Sequence, residues 1–296
     1  MANVLESQLL SAEAAAEQLQ RHTAANGLRY ALLGQSIGNG HPDASHTSAE
    51  AVLRLVNAVP AALAGSLVRT TYAFVPLALS GARLRGNDAA DAAFQSNDPT
   101  LIALQATPEL AERAICHRNA EVRGEDYVFL SAGLHHDSFA LAFEFFINIA
   151  HDLVDIASMP ASFGDLLAEQ TAAGVRGETS IDAFEHRSAA FGPQADHGAD
   201  SSTRPRSTAP VPPRPPASTT PAEKAQALRD YQHAAFADAV AIYLLAVFLD
   251  FDYADLRERE YPLLAPPALA ARLRAVHALY PPNPGYTFQI LYRRRG

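Results

Sequence analysis

The run Gly34-Gln35-Ser36-Ile37-Gly38 sets a serine between two glycines on a turn that follows a short apolar segment. On such a turn the hydroxyl stands clear of the backbone, and nearby amide N–H groups can receive the charge that develops on a carbonyl oxygen. That is the geometry of a nucleophile, although two glycines can equally serve only a strand-to-helix turn. A second group of residues carries different chemistry. His117, His135, His136, Asp137, Glu144, His151, Asp152 and Asp155 crowd one stretch of chain. Glu144, Asn148, His151 or Asp152, and Asp155 recur at three and four residues, so a helix would carry them as one polar stripe. Such a stripe is either a solvated helix face or the start of a divalent-metal site that activates water.

Positioning these residues requires strands that end in loops. Ser11 to Ala25 reads as a helix that Asn26-Gly27 closes. Leu28 to Leu33 has strand length and runs into the glycine-rich turn. Ser48 to Leu63 repeats its apolar residues with the helical period, with Ser48 and Glu50 near the start. Val68 to Leu79 is β-branched and aromatic, and Pro76 within it indicates an edge or bulge. Thr107 to His117 reads as a further helix and Asp126 to Ala132 as the clearest strand. Strands alternating with helices predict an α/β fold, a three-layer sandwich with a mainly parallel sheet flanked by helices.

Beyond Asp137 the pattern becomes helical: Phe139 to Ser158, Glu223 to Leu249 and Pro267 to Leu279, with Tyr286 to Tyr292 as a closing strand. Seven prolines lie between Pro205 and Pro221, mixed with Ser, Thr and Ala. A segment of that composition buries too little apolar surface to offset its chain entropy. The expected organisation is an α/β core over residues 1–191, a disordered insert over 192–222, and a helical part over 223–296 that completes the same domain.

Three blocks in order resemble the SGNH, or GDSL-type, serine esterases. LRYALLGQSIGNG is similar to that family's first block, with Gln35 where Asp is usual. FVPLALSGA is similar to the second, and DYVFLSAGLHHD, ending at Asp137, to the third, with histidine in place of the usual Asn. The resemblance implies Ser36 as nucleophile and an oxyanion hole made by Gly81 with His135 or His136. It also implies a base pair, for which Asp230-Tyr231-Gln232-His233 offers the family's Asp-x-x-His spacing. At helical spacing Asp230 and His233 are instead an i, i+3 surface pair. The implied reaction is hydrolysis of a carboxylic ester of a small molecule or glycan through an acyl-enzyme, without a cofactor.

Two alternatives stand beside it. NIAHDLVDI is similar to the His-Asp motif of HD-domain hydrolases, which makes His136, His151 and Asp152 the ligands of a metal-dependent hydrolase. The other is a non-catalytic scaffold, degenerate at the serine, whose insert RPRSTAPVPPRPP would dock as a polyproline helix on an SH3-type partner. Arg272 and His277 have the Arg-x4-His spacing of some helical ribonucleases, but a net charge of -9 opposes binding to a polyanion, so no nucleic-acid partner is expected. The single cysteine, Cys116, excludes an internal disulfide. The apolar stretches are broken by polar residues short of the roughly 20 needed to span a bilayer, and Met1 to Gln20 lacks the order of a signal peptide. A non-membrane, cytoplasmic protein is the default expectation.

Overall fold

The computed structural model describes residues 9–33, 48–84, 98–135, 137–192, 220–250, 252–253 and 261–290. The chain divides into two compact units. The first comprises Met1–Ala157, Ala241–Phe251 and His277–Gln289; the second comprises Ser158–Val240, Asp252–Val276 and Ile290–Gly296. The insert expected over 192–222 lies, but for its ends, outside the described residues.

Among its described residues the first unit carries nine strands: β1 (Leu9–Ser11), β2 (Leu19–Thr23), β3 (Arg29–Leu33), β4 (Thr70–Val75), β5 (Leu77–Ser80), β6 (Thr100–Ala103), β7 (Ala114–Ile115), β8 (His117–Val122) and β9 (Glu125–Ser131). They form two sheets, in the orders β1-β6-β5-β7 and β2-β3-β4-β9-β8. This overturns the expected three-layer sandwich around a mainly parallel sheet. Among the described strands only β3 with β4 and β4 with β9 run parallel, and every pair in the four-stranded sheet is antiparallel.

Hairpins account for the difference. Asn26-Gly27 does not close a helix reaching Ala25: the helix α1 spans Ala12–Gln18, and the chain continues as β2. Gly27, at φ 89°, turns β2 back onto β3, and Asn-Gly between two extended runs is a strong hairpin signal. Asn26 Nδ2 then anchors the turn by donating to the carbonyls of Val56 and Val59, at 2.8 and 2.7 Å. A second tight turn at Arg123 and Gly124, with φ 56° and 80°, folds β8 onto β9. The helix expected over Thr107 to His117 is one turn, Pro108–Ala111, and His117 begins β8 instead.

The run Val68 to Leu79 is likewise two strands. Pro76 has no N–H to offer a ladder, and at that residue the chain leaves the five-stranded sheet for the four-stranded one. Ser131, fully buried at the end of β9, joins the two sheets: its hydroxyl donates to the Ile115 carbonyl at 2.5 Å and accepts from the Ala78 N–H at 2.7 Å. Gly133 follows because a Cβ there would lie 2.5 Å from the Pro76 carbonyl oxygen.

One face of the five-stranded sheet (Ala31, Leu33, Ala73, Val75, Tyr127, Phe129) packs on Ala12, Ala15 and Ala16 of α1 and on Ala78 and Ile102 of the other sheet. Tyr72 and Phe74, of opposite parity on β4, instead meet Phe145, each at 5.5 Å between ring centroids. Phe145 belongs to α3 (Ser138–Ile156), which Asp137 caps by accepting from the Ala140 N–H at 2.7 Å. The crossover from β3 to β4 contains α2 (Ala49–Asn57), capped by Ser48.

The second unit is helical: α4 (Ala161–Ala172), α5 (Ile181–Phe191), and the parts that fall within it of α6 (Pro221–Phe248) and α7 (Pro266–Leu279). Its core contains charge. Glu178 and Arg272 are both 0% exposed and form an ion pair of 2.7 Å. Arg187 donates to the same carboxylate at 2.9 Å and Tyr231 at 2.8 Å, while Arg272 Nε donates to Gln170 at 2.8 Å. Burial works against the Arg272 charge, but the Glu178 carboxylate more than offsets it and raises the guanidinium pKa.

The described part of the expected closing strand, 286–290, is not a strand. Residues 286–290 pair with no strand among the described residues, and 291 and 292 lie outside them. Phe288 packs instead on Tyr243 and His277, at 5.0 and 5.1 Å between centroids, and the Tyr286 hydroxyl donates to the Arg54 carbonyl. Only α6 is long and apolar enough among the described helices to cross a membrane; 67% of its most apolar window is buried within the protein, as in a core helix.

Candidate functional site

Leu33, Val75 and Ser131 end three neighbouring parallel strands, and His117 opens β8 opposite Leu130. All four therefore share the carboxyl edge of the sheet, the edge at which open α/β sheets place their ligands. His117 Nδ1 lies 2.6 Å from Glu144 Oε1 of α3. With the proton on Nδ1 the ring donates to the carboxylate and keeps its lone pair on Nε2, the tautomer a general base requires.

The carboxylate is itself held. Asn148, 4% exposed, donates through Nδ2 to the Glu144 carbonyl at 2.8 Å and to Oε1 at 3.2 Å. Burial alone would push the Glu144 carboxyl up. The His117 hydrogen bond and charge, the His135 charge and the Asn148 amide together hold it below the usual carboxylate range. The imidazole side chain is 35% exposed and the carboxylate 14%, so the pair meets solvent from the ring side.

Two turns along α3, Asp152 Oδ2 accepts from the buried Tyr72 hydroxyl at 2.6 Å. Burial pushes the Asp152 carboxyl up to about 6; the Tyr72 bond opposes this, Asp155 adds to it, and the His151 and His117 charges oppose it. The sign follows from linkage. A carboxyl whose folded pKa lies above its unfolded value favours folding when protonated, so its contribution is lost as pH rises through about 6. Asp152→Asn keeps an acceptor for Tyr72 without the charge. It is expected to raise stability by about 1–3 kcal/mol at neutral pH and by almost nothing below roughly pH 4, read from melting temperatures across that range. An equal gain at both pH values would contradict the assignment.

The other residues proposed from sequence are distributed as follows. Ser36 and His136 lie outside the described residues. Gly81 follows β5, and its N–H donates to the Pro99 carbonyl at 3.0 Å. Asp98 fixes this loop, with Oδ1 accepting from the Ala82 N–H at 2.7 Å and Oδ2 accepting from the Ser80 hydroxyl. A Cβ at Gly81 would lie 2.6 Å from Pro99 Cγ, so the missing side chain is explained by packing. His135 is half-buried after β9, its N–H 3.4 Å from the Ala132 carbonyl, and its charge acts on Glu144.

Asp230 and His233 lie on α6 in the second unit. Asp230 accepts from Gln226 Nε2 at 2.7 Å, His233 is exposed, and no hydrogen bond joins the two among the described residues. His151 is exposed and Asp152 is engaged with Tyr72. Among the described residues no group of three His, Cys, Asp or Glu gathers as metal ligands would.

The His117–Glu144 pair was the part that sequence reasoning missed. Both residues stood in the polar cluster, but His117 read as the end of a helix. The signal that could have found it is Arg123-Gly124, which marks a hairpin and makes the preceding residues a strand. Compared with known proteins, the chain matches no family model, no curated protein and no solved structure.

Proposed function

We propose that this protein is a hydrolase of the serine-esterase type, acting on a carboxylic ester of a small molecule or glycan, with its acid–base pair at the carboxyl edge of the five-stranded sheet. The observation that carries the reading is the 2.6 Å contact between His117 Nδ1 and Glu144 Oε1. A carboxylate on one ring nitrogen fixes the tautomer and stabilises the imidazolium that forms when the other nitrogen takes a proton. The GxSxG segment supports it from the sequence side, because the chain enters residues 34–47 from Leu33, the carboxyl end of β3. Ser36 is the nucleophile in this reading: its hydroxyl oxygen attacks the ester carbonyl, its proton passes to imidazole, and the alcohol leaves with that proton. Water then releases the acid by the same route in reverse.

The test is turnover of p-nitrophenyl acetate and of an acetylated sugar by the full chain, compared with Ser36→Ala. The expected loss is on the order of a thousandfold or more, with a fluorophosphonate probe labelling Ser36 in the parent protein only. Turnover that Ser36→Ala leaves unchanged would sink the reading.

A further inference from the structure

Among the described strands β8 lies at the edge of its sheet. The Ser131 N–H donates to the Cys116 carbonyl at 2.8 Å, which makes that opposed pair a hydrogen-bonded one. Antiparallel ladders alternate, so in the observed register Arg118, Ala120 and Val122 direct their backbone groups at β9, while His117, Asn119 and Glu121 direct theirs outward. Among the described residues no strand adds to that outward side, and the side chains of Asn119 and Glu121 are exposed.

A cleft of about 330 Å³ borders this edge, lined in part by Asn119, Glu121, Asp126, Asp152, Asp155 and Ile156, with no Lys or Arg among the described residues that line it. Exposed edges are templates for another strand, and proteins keep copies of themselves off such edges with charge. Here the charged residues among the described lining are all acidic, on a chain of net charge -9, which disfavours a second copy and favours a cationic strand.

We propose that the outer edge of β8 binds an extended peptide carrying Lys or Arg at alternate positions, added to the sheet as a further antiparallel or parallel strand. The backbone groups of His117, Asn119 and Glu121 supply the ladder. In an added strand every second side chain falls on the cleft side, where Glu121, Asp126 and Asp155 meet the cationic heads. Ile156, 55% exposed, gives the alkyl stems an apolar floor.

The probe is a fluorescein-labelled peptide alternating Lys and Val, titrated into the full chain at low salt and followed by anisotropy, beside a Glu–Val peptide of the same length. Binding of the Lys–Val peptide alone is expected, weakened roughly tenfold or more by Asn119→Pro, which removes an outward N–H without touching a bond to β9, and by Glu121→Lys. A Lys–Val peptide methylated on alternate backbone nitrogens makes the same test on the unaltered protein, should Asn119→Pro fail to fold. Equal binding of the methylated and unmethylated peptides overturns the proposal, as does no binding at all. Magnesium binding to the cleft without peptide binding overturns it, and so does a dimer of the chain that Asn119→Pro dissolves.

Discussion

Glu178→Gln is expected to destabilise the second unit by about 3–5 kcal/mol, the cost of leaving buried charge without its partner. The carboxylate is fully buried and accepts from four groups: both nitrogens Nη1 and Nη2 of Arg272, Nη1 of Arg187 and the Tyr231 hydroxyl. These come from α5, α6 and α7, and Gln170 on α4 joins through Arg272. One anion thus satisfies side chains from helices that lie far apart in sequence. An amide in its place leaves two guanidiniums facing a neutral group that also presents donors to them.

Arg272→Met is expected to cost less than Glu178→Gln, because Arg187 and Tyr231 still hold the carboxylate. Urea unfolding followed by far-ultraviolet circular dichroism measures both, and a cost for Glu178→Gln below about 1 kcal/mol, the range of an exposed ion pair, would refute the account. The network is a stability element by this argument. It also explains why Arg272 is fully buried on α7 without any appeal to catalysis.

The second large effect concerns the ester reaction. His117→Ala is expected to lower kcat about 10²–10⁴-fold, the range associated with positioned proton transfer. Glu144→Gln is expected to act through His117, since an amide that donates to Nδ1 favours the tautomer with its proton on Nε2 and no base facing the substrate. The two changes therefore do not add: the double variant is expected to be no slower than His117→Ala. Steady-state rates for the two single variants and the double variant, set against the parent chain, form the cycle. Multiplicative losses would mean that Glu144 acts on the substrate independently, and full activity in His117→Ala would remove the pair from the mechanism.

Local order was readable wherever a segment's own residues decide it. The strands near Leu28 to Leu33 and Asp126 to Ala132, and helices close to α3, α6 and α7, were expected at nearly their observed positions, and α2 at its observed start but six residues too long. Each has its own apolar period or its own start and stop signals. Direction of pairing was misread, because side-chain alternation is the same in parallel and antiparallel strands and only the connections differ. Asn26-Gly27 is consistent with a helix C-terminus and with a hairpin, and what separates the two is whether the preceding residues find a strand to pair with. His117 shows the same ambiguity, as part of a short helical run from Thr107 or as the first residue of a strand opposite Leu130.

The sequence by itself determined the acidic charge, the glycine-flanked serine, the polar stripe on α3 and the helices and strands with strong local signals, because these depend on composition or on neighbours a few residues apart. Only the tertiary structure decided that the chain changes sheets at Pro76 and that no strand among the described residues covers the outward side of Asn119 and Glu121. It likewise decided that His117 meets Glu144 and that Glu178 meets Arg272 across 94 residues of chain. Such pairings arise from how sheets and helices stack, and a carboxylate carries no local mark of which distant cation its burial will require.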